Sequence, residues 1–134
     1  MNIQTKLILI WITFAILSGV AEAFFFNKKK KHVTLLGKNI HIWFTILRAL
    51  VAIPLCIYVF NTVGILESIL LAVIFMLSFP FFHDGMYYTT RELLKKGTYP
   101  RYFIDQSYKT DAIFSFNFVI RTTMLIIALL IFPY

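Results

Sequence analysis

Four apolar runs, residues 7–26, 40–60, 63–82 and 112–132, occupy most of this 134-residue chain. A helix of about 20 apolar residues crosses a hydrocarbon core of roughly 30 Å, and each run has that length. Hydrophobic residues make up 60% of the sequence. A water-soluble domain of this size has too much surface for its volume to bury them all. In lipid, a segment must satisfy its own backbone N–H and C=O groups, so the runs are expected to be helices rather than barrel strands. The predicted fold class is all-α integral membrane: a four transmembrane helix bundle, with residues 1–134 as one domain and no soluble domain beside it.

The basic residues give the bundle an orientation. Lys28, Lys29, Lys30, Lys31 and Lys38 lie between the first two runs, and Arg91, Lys95, Lys96, Arg101 and Lys109 between the last two. The connection around residues 61–64 has none, and Lys6 alone precedes the first run. The positive-inside rule then places loops 27–39 and 83–111 in the cytoplasm and both termini outside, N-out and C-out. The net charge of +7 points to membrane lipids with anionic headgroups as partners, and away from nucleic acid. The expected location is a cell membrane of bacterial inner-membrane type, crossed several times. Residues 1–23 have the outline of a signal peptide, with Lys6, an apolar stretch and Ala21-Glu22-Ala23. That reading would leave the lysine run outside, against the charge rule. Cys56 is the single cysteine and reads as a small apolar filler in its run.

Local patterns organise each run. Ser18, Gly19 and Glu22 fall on one helical face, small and polar, where a neighbouring helix can approach closely. His41, Thr45 and Arg48 follow i, i+4, i+7 spacing and form a polar stripe in the second run, with Pro54 further along. Asn61-Thr62-Val63-Gly64 reads as a tight turn that makes runs two and three an antiparallel hairpin. The third helix is predicted to extend into the cytoplasm, through Arg91 and Lys96 to a stop at Gly97. Pro80 and Gly85 mark an expected kink. His83, Tyr87 and Arg91 share a face of this helix, with Asp84 and Tyr88 beside it. Residues 98–110 are rich in tyrosine and basic groups and read as a headgroup-level segment. Ser107 or Thr110 is placed to cap the fourth helix, which carries Asp111, Phe114, Asn117 and Arg121 along one face.

At 1.5 Å of rise per residue, Glu22 lies about 8 Å inside the inner boundary, Arg48 about 14 Å and Arg121 about 15 Å. His41, His83, Asp84 and Asp111 lie near that boundary, whereas the outer halves of the runs are almost purely aliphatic and aromatic. A charge at the centre of a spanning helix costs about 2.5–3.5 kcal/mol on insertion scales. Pairing is therefore expected, Glu22 with Arg48 or Arg121, and Asp84 with another group. The polar residues outline a wedge open to the cytoplasm and closed on the outside.

The leading functional expectation is a non-catalytic membrane protein that binds an anionic lipid, a small anion or a partner membrane subunit in this wedge. The ligand-binding candidates are Glu22, Arg48, Tyr87, Tyr88, Arg91, Asn117 and Arg121, since arginine forks suit phosphate and carboxylate. The rival is an intramembrane enzyme acting on a lipid-like substrate, with His83 as general base and Asp84 orienting it or holding a metal. His41, His83 and Asp84 are weak metal candidates because no metal-binding spacing joins them. Ser18, Ser68, Ser78, Ser107 and Ser115 have no histidine at a telling position, so nucleophilic catalysis has little support. A small transporter or oligomeric channel built on Glu22 is a third possibility, opposed by the greasy outer halves. Several charges in a four-helix chain also favour a homo-oligomer or a partner subunit. No cofactor is indicated.

Overall fold

A computed structural model describes residues 2–28, 34–35, 38–95 and 118–132. The chain runs α1 (Ile3–Lys28), β1 (Thr34–Leu35), β2 (Lys38–Asn39), α2 (Ile40–Thr62), α3 (Ile65–Leu94) and α4 (Phe118–Leu130). Helix is the rule, and a two-residue antiparallel ladder pairs Thr34 with Asn39 and Leu35 with Lys38 in the first connection. Three of the helices are long and apolar enough to cross a membrane. The described part of α4 has 13 residues, about 20 Å of helix, short of a full crossing. The fourth expected span is thus seen only over its second half, and residues 112–117 with Asn117 lie outside the described residues, as do Gly97 and the tyrosine-rich segment.

Each boundary has a local cause. Asn2 caps α1: its Oδ1 accepts from the Thr5 amide at 2.8 Å and the Thr5 hydroxyl at 2.7 Å. The α2–α3 hairpin turns where the sequence predicts it. The amides of Val63 and Gly64 both return to the Val59 carbonyl. Gly64 has φ 143°, a conformation that side chains with a Cβ rarely adopt. α3 is 30 residues long, about 45 Å, and continues unbroken through Pro80 and Gly85 to Leu94, close to the predicted stop. Pro80 has no N–H for the carbonyl of Met76. Nearby carbonyls take side-chain donors instead: Ser78 Oγ gives to Ile74 O at 2.7 Å, and Trp11 Nε1 to Phe75 O at 3.0 Å.

α1 and α3 make the principal pair. The small face predicted for α1 lies at this junction, with Ala15, Ser18, Gly19, Glu22 and Ala23 buried. A Cβ on Gly19 would press into the His83 carbonyl oxygen and lie 3.2 Å from the Tyr87 amide nitrogen, so glycine is what lets these backbones touch. At the other end of the pair, Leu7, Trp11, Leu71 and Phe75 join Val59 of α2 in the apolar core. The Trp11 and Phe75 rings stack at 4.6 Å and 16°. α2 is peripheral: 6% of its apolar stretch is buried in the bundle, against 39% for α1. One polar tie to α3 is Ser68 Oγ, which donates to the Cys56 carbonyl at 2.8 Å. α4 packs on α3 through Arg121 and Ala128, both buried.

Candidate functional site

Helical spacing brings the polar residues of three helices to one level. Glu22 lies one turn beyond Gly19 on the buried face of α1, where the close approach to α3 carries it to His83. His83 Nε2 is 2.9 Å from Glu22 Oε2, and His83 Nδ1 is 2.8 Å from Asp84 Oδ1. Arg48 of α2 donates from Nη2 to the same Glu22 oxygen at 2.9 Å, and that nitrogen is 3.1 Å from His83 Nε2. Of the expected pairings, Glu22 therefore takes Arg48, and Asp84 takes the histidine beside it. The sequence places Arg48 deeper than Glu22, but a guanidinium on a flexible stem reaches back along its helix to a polar partner.

A phenylalanine forms the floor of the cluster. Phe79, one turn before His83, stacks on the imidazole at 4.7 Å and 19°. The Arg48 guanidinium carbon lies 4.6 Å from the centre of the same ring, within cation–π range. Phe79 and Gly19 both shape the site, and neither was singled out as a site residue by the sequence. The signal for Phe79 was its i, i+4 relation to His83, which an apolar run full of phenylalanines does not make distinctive.

Side-chain exposure divides the cluster into an interior and a rim. Glu22 and His83 are 4% and 6% exposed, whereas Arg48 and Asp84 are 27% and 25% exposed. Along α3, Tyr87 stacks toward His83 at 6.4 Å and accepts from Arg91 Nη1 at 3.2 Å. Tyr88 points toward α4, where the carbon of the buried Arg121 guanidinium lies 5.9 Å from its ring centre. One hydrogen-bonded and stacked system thus links Glu22, Arg48, His83, Asp84, Tyr87 and Arg91, and Arg121 borders it through Tyr88. Asn117 and the side chain of His41 lie outside the described residues.

The arrangement separates the chemistries weighed from sequence. Glu22 and Asp84 engage opposite nitrogens of one imidazole, so the three groups do not converge on a common point. Among the described residues, no set of three His, Cys, Asp or Glu is placed to hold a metal ion. The hydroxyls of Ser18, Ser68 and Ser78 donate to the backbone carbonyls of Ala15, Cys56 and Ile74. Ser107 and Ser115 fall outside the described residues.

No family model matches this sequence, and neither a curated protein nor a solved structure resembles it significantly.

Proposed function

We propose that this chain is a multi-pass membrane protein, N-out and C-out, whose intramembrane polar cluster opens to the cytoplasm and binds an oxyanion. The oxyanion is carried by an anionic lipid headgroup or free in solution. The C-terminal end of α3 extends beyond the lipid on the cytoplasmic side, following the placement of the basic residues. The observation that carries the reading is the state of Arg48. Its guanidinium sits at the rim, braced on Phe79, and gives Nη2 to Glu22. Its Nε is buried without a hydrogen-bond partner among the described residues. An arginine so held has donor capacity left, and a phosphate or carboxylate uses such forks well. Arg91 and Arg121 add positive charge along the same side.

The test uses the full-length protein in nanodiscs of phosphatidylcholine with a minority of phosphatidylglycerol, followed by native mass spectrometry. Wild type is expected to retain phosphatidylglycerol preferentially. Arg48→Lys keeps the charge and loses the fork, and is expected to weaken that retention. Equal retention by both proteins, with sulfate binding also unaltered, defeats the reading. A second protein retained at fixed stoichiometry with no bound lipid points instead to a partner subunit.

The 2.8 Å contact of Asp84 with His83 favours a second reading, catalysis with His83 as a base oriented by Asp84. Its catalytic nitrogen faces Glu22 and Arg48 rather than open space, so a substrate would have to displace both. Turnover of a phospholipid that is abolished by His83→Ala would establish this alternative.

A further inference from the structure

The contacts of His83 imply a count of protons. Asp84 Oδ1 at 2.8 Å and Glu22 Oε2 at 2.9 Å are both acceptor oxygens when ionised. A nitrogen and an oxygen at such distances need a hydrogen between them, because two facing lone pairs repel. A neutral imidazole carries one N–H, and this imidazole is engaged at both nitrogens. One additional proton must lie between Glu22 Oε2 and His83 Nε2, on whichever of the two atoms. Arg48 Nη2 stands within reach of both atoms, at 2.9 and 3.1 Å.

We propose that Glu22, His83 and Asp84 form a proton-binding site that holds one proton more than a neutral histidine, and that releasing it transfers the Arg48 hydrogen bond from Glu22 to His83. With the proton present, His83 and Arg48 both serve Glu22 Oε2. Without it, the bare Nε2 lone pair faces Glu22, and Arg48 is the neighbouring donor able to cover it. Glu22 then keeps its charge in a buried position with less compensation, which loosens the contact between α1 and α3. Every helix contributes a charged or titratable group here: Glu22 from α1, Arg48 from α2, Asp84 and Tyr87 from α3, and Arg121 from α4 within electrostatic range of Asp84. The arginines are charged in both states, so the proton itself decides the balance. Glu22, Arg48, His83 and Asp84 sum to zero charge with it and to minus one without it.

A link to anion binding follows, and this part rests on the oxyanion reading above. An anion at Arg48 is favoured by the protonated state, so by linkage it promotes proton uptake. One linked proton limits the loss of affinity to about tenfold per pH unit as pH rises.

The experiment is nitrogen NMR of histidine-labelled full-length protein in phosphatidylcholine nanodiscs across pH 5 to 9, with sulfate as a probe whose charge is constant over that range. His83→Gln assigns the signals, since the chain has three histidines. At pH 6 either both ring nitrogens of His83 or one ring nitrogen and the Glu22 carboxyl are expected to be protonated, and that extra proton is lost at higher pH. Glu22→Gln keeps the shape but supplies an amide donor to Nε2, so His83 is expected to be singly protonated throughout. If wild-type His83 is singly protonated and carbon NMR shows the Glu22 carboxyl ionised at every pH, or Glu22→Gln leaves both nitrogens protonated, the proton site is overturned. Sulfate affinity is expected to fall with pH in wild type and to be flat in Glu22→Gln. A sulfate affinity that is flat in both proteins overturns the coupling. Absence of sulfate and phosphatidylglycerol binding at any pH defeats the oxyanion reading, and the NMR count still decides the proton site.

Discussion

Gly19→Ala is the smallest change that tests how the site is assembled. The added Cβ meets the His83 carbonyl oxygen, which belongs to the α3 backbone and cannot swing aside as a side chain does. A carbon sits comfortably about 3.4 Å from a carbonyl oxygen, so α1 must retreat from α3 by roughly 1 Å there. The Tyr87 amide, 3.2 Å from the same position, blocks a simple slide. Glu22 is one turn away on the same face, and a shift of that size carries its oxygen from 2.9 Å beyond hydrogen-bonding distance of His83. Overpacking costs about 1–3 kcal/mol, and a lost hydrogen bond to a charged group adds about 1.5–3 kcal/mol. The expected destabilisation is about 2.5–6 kcal/mol, read by reversible unfolding in bicelles. Gly19→Ala should also abolish most of the energetic coupling between Glu22 and Arg48. A loss under about 0.5 kcal/mol with that coupling intact would show that the helices do not meet at Gly19, and the account of the site would fail with it.

A double-mutant cycle of Glu22→Gln and Arg48→Met is expected to give a coupling of about 1–3 kcal/mol, because the pair is mostly withdrawn from solvent; a value near zero refutes the pairing. Phe79→Leu removes the ring beneath both His83 and Arg48 and should cost about 1–2 kcal/mol beyond the lost area, through cation–π and stacking contacts. The same substitution at Phe82 provides the control. Trp11→Phe keeps the ring stacked on Phe75 but removes the donor to its carbonyl, and is expected to cost about 1 kcal/mol, without altering nitrogen signals from His83. Gly64→Ala strains the hairpin by about 1–3 kcal/mol and should leave the coupling between Glu22 and Arg48 unchanged, which separates loss of the turn from loss of the site.

Much of the bundle was legible because long apolar runs leave a chain few options besides helix. The long apolar runs located α1, α2 and α3, with α1 beginning four residues before its run and α3 running on past its own as the extension predicted, and the glycine-ended turn yielded the hairpin. The small face of Ser18, Gly19 and Glu22 marked the side of α1 that contacts α3, since only small residues permit that approach. What stayed hidden depends on side-chain reach and on identity within a repetitive background. Depth along the axis separated Arg48 from Glu22 by several ångströms, and only a long stem returning toward its partner closes that gap. Phe79 sits among phenylalanines that sequence cannot rank. The short ladder of Thr34, Leu35, Lys38 and Asn39 gave no strand signal, because two residues are too few for any alternation.

The peripheral position of α2 bears on how the protein is built in the cell. Arg48 is a poor passenger for a helix entering lipid alone, at about 2.5–3.5 kcal/mol for a charge near the centre. Its counter-ion, Glu22, lies on α1, which emerges from the ribosome first. The remaining contacts come from α3, tied to α2 by a turn too tight to let the two part. If the chain is inserted into a bilayer as proposed, the order of synthesis presents Arg48 first with Glu22 on α1 and then with its hairpin mate, α3.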